Sequence, residues 1–274
     1  MAPAQSPQTQ PTAVLEVTGL RIERTGTRIL DDVHWRVARG EHWTVLGANG
    51  SGKTSLLSAL TGYLMPTAGE ISVLGRRFGH ADWRDLRRHI GLVSSSVRQL
   101  MADAEPALET VVSGKYAMID YWGKVTAADR ARALRLLRQI ECADLADRPW
   151  LYLSQGERQR VLIGRALAQE GRLMLLDEPT SDLDLHYQLE TMTTLQRTAR
   201  ERGVGALIAI HDLALASRFS DRLIMLKRGA VYAAGPWPEV VTPANLEAVY
   251  GVGALIGEDS GLPYVIPTAL APRL

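Results

Sequence analysis

Three stretches of this chain carry residue types that could bind and cleave a nucleoside triphosphate. The first, 47–54, matches the pattern G-x-x-x-x-G-K-[ST], in which glycines let successive backbone N–H groups meet phosphate oxygens. The pattern assigns Lys53 to the β- and γ-phosphates and the Thr54 hydroxyl to Mg²⁺. The residues expected to surround the nucleotide are Gly47, Ala48, Asn49, Gly50, Ser51, Gly52, Lys53, Thr54 and Ser55.

The sequence on both sides of this phosphate loop (47–54) supports that interpretation. An apolar run, 43–46, predicts a strand before it, and 55–60 predicts a helix after it. The positive end of such a helix favours a bound anion. A glycine-rich turn with a surface lysine would require neither flank. The loop alone therefore indicates a nucleoside triphosphate, without fixing the reaction.

The second stretch is an apolar run, 173–176, that ends in two acids. An acid at the carboxyl end of a strand can hold Mg²⁺ through water, and the next acid can deprotonate an attacking water. We therefore expect Asp177 at the metal and Glu178 as the general base. Two adjacent acids also begin many helices, so this assignment depends on the phosphate loop in the same chain.

The third stretch, 153–160, predicts a helix with Ser154 as its N-cap and with open backbone at Gly156. The start of such a helix can receive an anion. A capped amphipathic helix without any ligand would explain the same residues. Both interpretations stay open when the stretch is taken alone.

The elements that must position these residues follow an α/β pattern. Strands and helices alternate from residue 171 onward, which indicates a parallel sheet covered on both faces. Residues 14–17, 20–23 and 30–37 alternate apolar and polar and predict antiparallel strands. The region 100–153 predicts helices, including an amphipathic one at 126–141. The remaining predicted elements are strands at 69–75, 90–94, 206–210 and 223–226 and helices at 82–89, 187–202, 213–219 and 244–250.

Composition narrows the possible environments and partners. The net charge of +1 argues against a protein held to nucleic acid by bulk charge, so no nucleic-acid partner is expected. The single cysteine excludes an internal disulfide and fits a reducing cytoplasm. No apolar run reaches 18 residues, and the Pro/Gln-rich start lacks the features of a signal peptide. Any membrane part is expected to come from other chains.

Together the motifs resemble those of the ATP-binding cassette (ABC) ATPases over residues 14–250. The family's signature motif resembles 153–157, its Walker A and Walker B motifs resemble 47–54 and 173–178, and its D-loop resembles 181–184. His211 matches its switch histidine. The resemblance implies a P-loop NTPase (RecA-like) parallel-sheet core, an antiparallel β subdomain and an α-helical signature subdomain at about 96–160. Residues 1–13 would be a disordered tail, and 251–274 a C-terminal tail.

The resemblance also implies a mechanism in which two cassettes, identical or closely related, pair head to tail. Mg²⁺ and ATP would bind the phosphate loop of one copy and be capped by the signature segment of the other. The capping residues would be Ser154, Gln155, Gly156 and Glu157. The catalytic residues would be Glu178, Lys53 and His211, and Asp184 would couple the two sites.

Two positions depart from the family pattern. Ser95 stands where a glutamine usually contacts the metal. Its side chain is shorter than that of glutamine, so we expect it to contact Mg²⁺ or water only when the backbone lies closer to them. Gln99 is the alternative ligand. Arg24 occupies the place of an aromatic residue that stacks on adenine. A guanidinium can stack on a base as well, although a solvent-exposed arginine in a turn explains the position equally well.

Two hypotheses for the function remain. In the first, the chain hydrolyses ATP to power transport through separate transmembrane permease subunits, and is peripherally associated with the cytoplasmic face of the membrane. Its residues 229–251 are similar to the ends of importer cassettes for metal chelates and vitamin B12, and its aromatic segment 116–122 is either a docking surface or buried. In the second, it is a soluble, regulatory ATPase without a transport role, which the serine at position 95 favours. A different P-loop enzyme such as a kinase would leave 153–157 unexplained.

Overall fold

The computed structural model describes residues 13–119, 121–169 and 171–270. The predicted N-terminal tail lies outside these residues except for Ala13, which begins the first strand. The described strands are β1 Ala13–Arg24, β2 Thr27–Ala38, β3 His42–Gly47, β4 Ala68–Val73, β5 Arg76–Arg77, β6 Ile90–Val93, β7 Leu173–Asp177, β8 Gly205–Ala209, β9 Arg222–Lys227, β10 Ala230–Gly235, β11 Val252–Asp259 and β12 Leu262–Leu270. The α-helices are α1 Lys53–Leu60, α2 Trp83–Arg87, α3 Ser95–Leu100, α4 Ala107–Tyr116, α5 Ala127–Gln139, α6 Gln155–Ala168, α7 Leu185–Arg202, α8 Leu213–Phe219, α9 Trp237–Val240 and α10 Pro243–Tyr250.

The first sheet is antiparallel, in the order β2-β1-β4-β5. The two strands predicted at 14–17 and 20–23 are one strand, β1, so that prediction is wrong in detail. The reason is a register shift between Val17 and Leu20, where Gly19 adopts a φ of 59° and the strand continues past the irregularity. Glycine supplies this conformation with little steric cost, so the break in alternation does not end the strand.

The second sheet has six strands in the order β10-β9-β3-β8-β7-β6. Its strands pair in parallel except β10, which is antiparallel to β9. Every residue of β3, β7 and β8 is buried, as expected for strands covered on both faces. Because the carboxyl ends of parallel strands meet at one edge, the segments that follow β3, β7 and β8 lie side by side.

A helical lobe contains α4, α5 and α6, which lie between β6 and β7 in chain order. The Thr126 hydroxyl and the Asp129 carboxylate form a capping box at the start of α5. Lys115 on α4 donates to the same carboxylate at 2.5 Å, and these hydrogen bonds hold the pKa of Asp129 well below its usual range. Nearby, Cys142 is fully buried, and burial raises the pKa of its thiol to about 11.

Within the C-terminal tail predicted at 251–274, residues 252–270 form a hairpin. Strands β11 and β12 pair with each other and pack Ile256 and Val265 against the core, while Leu255 and Ile266 face outward. Within residues 13–119, 121–169 and 171–270, no helix combines the length and the apolar character needed to cross a bilayer.

Candidate active site

The phosphate loop leaves the carboxyl end of β3 through a glycine that no other residue could replace. Gly47 has a φ of 148°, and a Cβ there would lie 2.4 Å from the Ser51 Oγ and 2.6 Å from the Leu226 carbonyl oxygen. Gly52, at a φ of 105°, immediately precedes α1 and provides no side-chain cap for its first turn. The first N–H groups of the helix therefore lack a side-chain cap, which suits a bound anion.

Lys53 is folded back into the phosphate loop. Its side chain is buried, and its Nζ donates to the carbonyl oxygens of Gly47 at 2.8 Å and Ala48 at 3.3 Å. Burial lowers the pKa of the ammonium group, while the charges of Glu178 and Asp177 oppose that shift. The loop thus places a cation within electrostatic range of the Glu178 and Asp177 carboxylates.

Asp177 is the last residue of β7 and offers a buried carboxylate oxygen. Burial raises the pKa of this carboxyl group, and a hydrogen bond with the Thr54 side chain acts in the opposite direction. Its Oδ1 has no hydrogen-bond partner within the described part of the chain. Buried polar atoms are normally paired, and a carboxylate beside a hydroxyl is an oxygen donor set that suits Mg²⁺. These two residues fit the predicted metal site.

Glu178 and His211 meet at the ends of adjacent strands. The Glu178 Oε1 lies 2.6 Å from the His211 Nε2, and each side chain is about two-fifths exposed (43% and 42%). Glu178 has a φ of 49°, which costs a non-glycine residue on the order of 1 kcal/mol. Its N–H donates to the Ala209 carbonyl oxygen at 2.8 Å, and its own carbonyl oxygen accepts from Gln159 at 3.1 Å. The strained backbone is therefore anchored from two sides.

The signature segment forms an exposed helix start. The Ser154 N–H donates to the Glu157 carboxylate at 2.7 Å, and the Glu157 N–H donates to the Ser154 hydroxyl at 3.3 Å. Ser154 and Gln155 are exposed, and a Cβ on Gly156 would lie 3.3 Å from the Asp182 carbonyl oxygen. The helix therefore begins close to the segment that follows the acidic pair, with its first residues open to solvent.

The two departures from the family pattern lie in separate places. Ser95 is the exposed first residue of α3, a helix absent from the predicted elements, and Gln99 on the same helix is also exposed. The Arg24 guanidinium donates to the carbonyl oxygens of Met65 at 2.5 Å and Glu23 at 2.7 Å, which fixes it at the segment after α1. Contact of either residue with metal or adenine stays a prediction.

Three side chains that connect to this site were missed from the sequence. Gln159, one turn after Gln155, donates to the Glu178 carbonyl oxygen, and a polar residue on the buried face of α6 could have indicated it. Arg98 on α3 pairs with Asp182 at 2.7 Å. Tyr250 at the end of α10 accepts a hydrogen bond from the Gly47 N–H at 2.9 Å. Periodicity carries no signal for the last two contacts, because both join distant segments.

Comparisons with known proteins cover the segments that build this site. The family model described as ABC transporter matches residues 30–181. An uncharacterised ABC transporter ATP-binding protein of Bacillus subtilis (strain 168) is 37% identical over 239 residues, covering 86% of this chain and 90% of the relative. A hemin import ATP-binding protein of Bordetella avium (strain 197N) is 37% identical over 255 residues, covering 88% and 93%. A solved dimeric post-hydrolysis state of an ATP-binding cassette bound to ADP and Pi has a TM-score of 0.73 at 28% identity, covering 81% of this chain and 98% of that one.

Proposed function

Because the chain belongs to the ABC transporter family, we propose that it is the ATP-hydrolysing subunit of an importer whose membrane-spanning part is supplied by separate permease subunits. The predicted membership in this family and the predicted α/β P-loop fold are confirmed, and the chain is an ATPase of this type. The observation that carries the proposal is the pair formed by Glu178 and His211 beside the buried Lys53 and Asp177. The import role draws on the relative named for hemin import.

In the proposed reaction each residue has one task. The phosphate loop and Lys53 bind the phosphates of ATP, and Thr54 and Asp177 hold Mg²⁺, which when bound would offset the negative charge of the phosphates. Glu178 accepts the proton of the attacking water, and His211, at 2.6 Å from it, holds the carboxylate and the water in line. The task of His211 is positioning, since its ring already contacts the general base.

We place a second copy, or a close relative, over the nucleotide in a head-to-tail pair. The exposure of Ser154 and Gln155 supports this arrangement, because a helix start open to solvent can cap a phosphate that another chain holds. The dimeric relative bound to ADP and Pi supports it as well. Asp184, exposed at the N-cap of α7, would then lie at the seam between the copies.

The permease would dock at the groove between α2 and the end of α4. This groove has a volume of about 710 Å³ and is lined by Asp82, Arg84, Asp85, Arg87, Arg88, Tyr116, Ala117 and Met118. Near the end of α4, Met118 is 46% exposed and Trp122 is 86% exposed, so the prediction that this aromatic segment is buried does not hold for these two residues. Exposed tryptophan, methionine and arginine side chains are enriched at protein interfaces, and a tryptophan is a frequent anchor; Trp122 lies four residues after Met118, the last residue that lines the groove. Docking there would hold the chain at the cytoplasmic face.

The test is recovery of the chain with its permease from detergent-solubilised membranes. Trp122→Ser should reduce the recovered complex by about tenfold or more, because a buried tryptophan anchor contributes at least 1.4 kcal/mol to many interfaces. Leu255→Ser is the matched control, since Leu255 is 62% exposed on the outer face of the hairpin. A chain found entirely in the soluble fraction at native expression, with no polytopic partner, would instead support the regulatory alternative.

A further inference from the structure

The last residue of α10 contacts the first residue of the phosphate loop. The Gly47 N–H donates to the Tyr250 hydroxyl at 2.9 Å, across 203 residues of sequence. Strand β3 ends at Gly47, so this N–H belongs to the peptide at which the sheet passes into the loop. A C-terminal element that the phosphate-binding pattern does not include therefore reaches the loop directly.

Gly47 is held on both of its peptide groups by side chains. Its carbonyl oxygen accepts from the Lys53 ammonium at 2.8 Å, and its N–H donates to Tyr250. The residue has no space for a side chain of its own, since a Cβ would overlap Ser51 and Leu226. Small displacements at this point would be transmitted to the N–H groups that follow it in the loop, because the backbone there cannot move aside.

Capping and packing of α10 hold Tyr250 in place. Helix α10 is capped at its start by the Thr242 hydroxyl and followed by Gly251 as its C-cap, which has a φ of 69°. Leu246 and Val249 anchor the helix in the core, and β11 packs against it. Tyr250 itself is partly buried, and burial raises the pKa of its hydroxyl, which therefore stays protonated at neutral pH.

The same C-terminal segment also contacts α8, the helix that follows β8 and His211. Strand β12 packs against α8, whose first residue, Leu213, lies two positions after His211. The segment from α10 to β12 thus contacts the supports of both the phosphate loop and the histidine. The hydrogen bond from Gly47 to Tyr250 is therefore supported by the packing of α10, β11 and β12.

We propose that Tyr250 is a positioning residue for nucleotide binding, whose hydroxyl holds the first peptide of the phosphate loop so that the following N–H groups point at the phosphates. This inference rests on the proposed nucleotide site at the phosphate loop. It adds to that site a residue outside the loop and outside the motifs that define it. A tyrosine that only stabilised the fold would affect unfolding and leave nucleotide affinity unchanged.

The experiment replaces the hydroxyl alone, with Tyr250→Phe. A net hydrogen bond of ordinary strength corresponds to about 3- to 10-fold weaker binding of ATP, measured by displacement of the fluorescent analogue TNP-ATP. The rate at saturating ATP should stay within about twofold of wild type, since no group that contacts the reacting atoms is changed. Tyr264→Phe is the matched control, because Tyr264 lies in the same segment and is 42% exposed on the outer face of the hairpin.

Two further measurements separate the possible failures. Exchange of the Gly47 amide hydrogen should be faster in Tyr250→Phe and unchanged in Tyr264→Phe, which tests the contact without any nucleotide. Lys53→Ala should abolish most ATP binding; if it does while Tyr250→Phe binds ATP as wild type does, the inference about Tyr250 is wrong and the nucleotide site stands. If Lys53→Ala itself binds ATP normally, the site proposal fails, and the inference fails with it.

Discussion

Replacing Glu178 by glutamine separates binding from hydrolysis at this site. The substitution keeps the side-chain volume and leaves an acceptor oxygen for His211. In the wild-type chain the His211 Nε2 lies 2.6 Å from the Glu178 carboxylate. The anchors of residue 178 are backbone groups that contact Ala209, Gln159 and Ser181, so they survive the change. We therefore expect Glu178→Gln to fold and to bind ATP.

The size of the kinetic effect follows from the task assigned to the carboxylate. A positioned general base contributes about 10²- to 10⁴-fold to the rate, equivalent to about 2.7–5.4 kcal/mol of barrier. Without the negative charge of Glu178, the pKa of Lys53 loses an interaction that raises it. The same change removes the repulsion between the Glu178 carboxylate and the ATP phosphates. Affinity for ATP should therefore stay equal or increase slightly while turnover falls by at least 100-fold.

The assay measures phosphate release at saturating Mg-ATP, with ATP affinity measured in parallel by TNP-ATP displacement. The matched control is Glu190→Gln, because Glu190 also faces a histidine, His186, at 4.0 Å, but on the surface of α7. That variant should keep wild-type turnover. Size-exclusion chromatography with ATP should show Glu178→Gln accumulating as a nucleotide-bound dimer. Turnover within threefold of wild type would remove Glu178 from the role of base.

Two further predictions concern the position without its usual glutamine and the helical lobe. Ser95→Gln should lower the Mg²⁺ concentration needed for half-maximal ATPase activity by about threefold or more, because a longer side chain places an oxygen ligand nearer the metal; an unchanged Mg²⁺ dependence would show that Ser95 does not contact it. Asp129→Asn should lower the free energy of unfolding by about 1–2 kcal/mol at pH 7, because Lys115 and the α5 cap lose a charged acceptor. Since the folded pKa of Asp129 is depressed, this stability is fully present above its unfolded pKa of about 3.9, declines below it and is lost only as pH falls through the folded pKa. The difference between wild type and variant in urea unfolding should therefore begin to shrink below about pH 4 and continue to shrink at lower pH. A difference that stayed constant from pH 7 down to pH 2 would contradict the ion pair as its source.

The sequence predicted those parts of the fold that depend on local pattern. The buried runs that became β3, β7 and β8 were visible as apolar stretches, and the capping residues Thr126 and Ser154 marked the starts of α5 and α6. The acids after β7 and the histidine after β8 could be placed at one edge, because parallel strands end on the same side of a sheet.

Other features depend on contacts that no local pattern encodes. Helix α3 is six residues long, too short to show an amphipathic period, and Ser94 caps its first turn. The hairpin of β11 and β12 was missed because Pro263 and Pro267 are unusual in strands. They are tolerated here because β11 and β12 form a two-stranded sheet, in which each strand is an edge strand. The contact of Tyr250 with Gly47 joins the two ends of the domain, so only the folded chain brings these residues together.

The buried Cys142 makes this chain convenient for distance measurements by spectroscopy. It is the single cysteine of the sequence, and its buried thiol, whose pKa burial raises to about 11, reacts slowly with maleimide probes at neutral pH. Leu255→Cys, on the exposed outer face of the hairpin and outside the nucleotide site, would therefore give a single residue that accepts a label. Spin labels at this position on two copies would report their separation as ATP is added and hydrolysed.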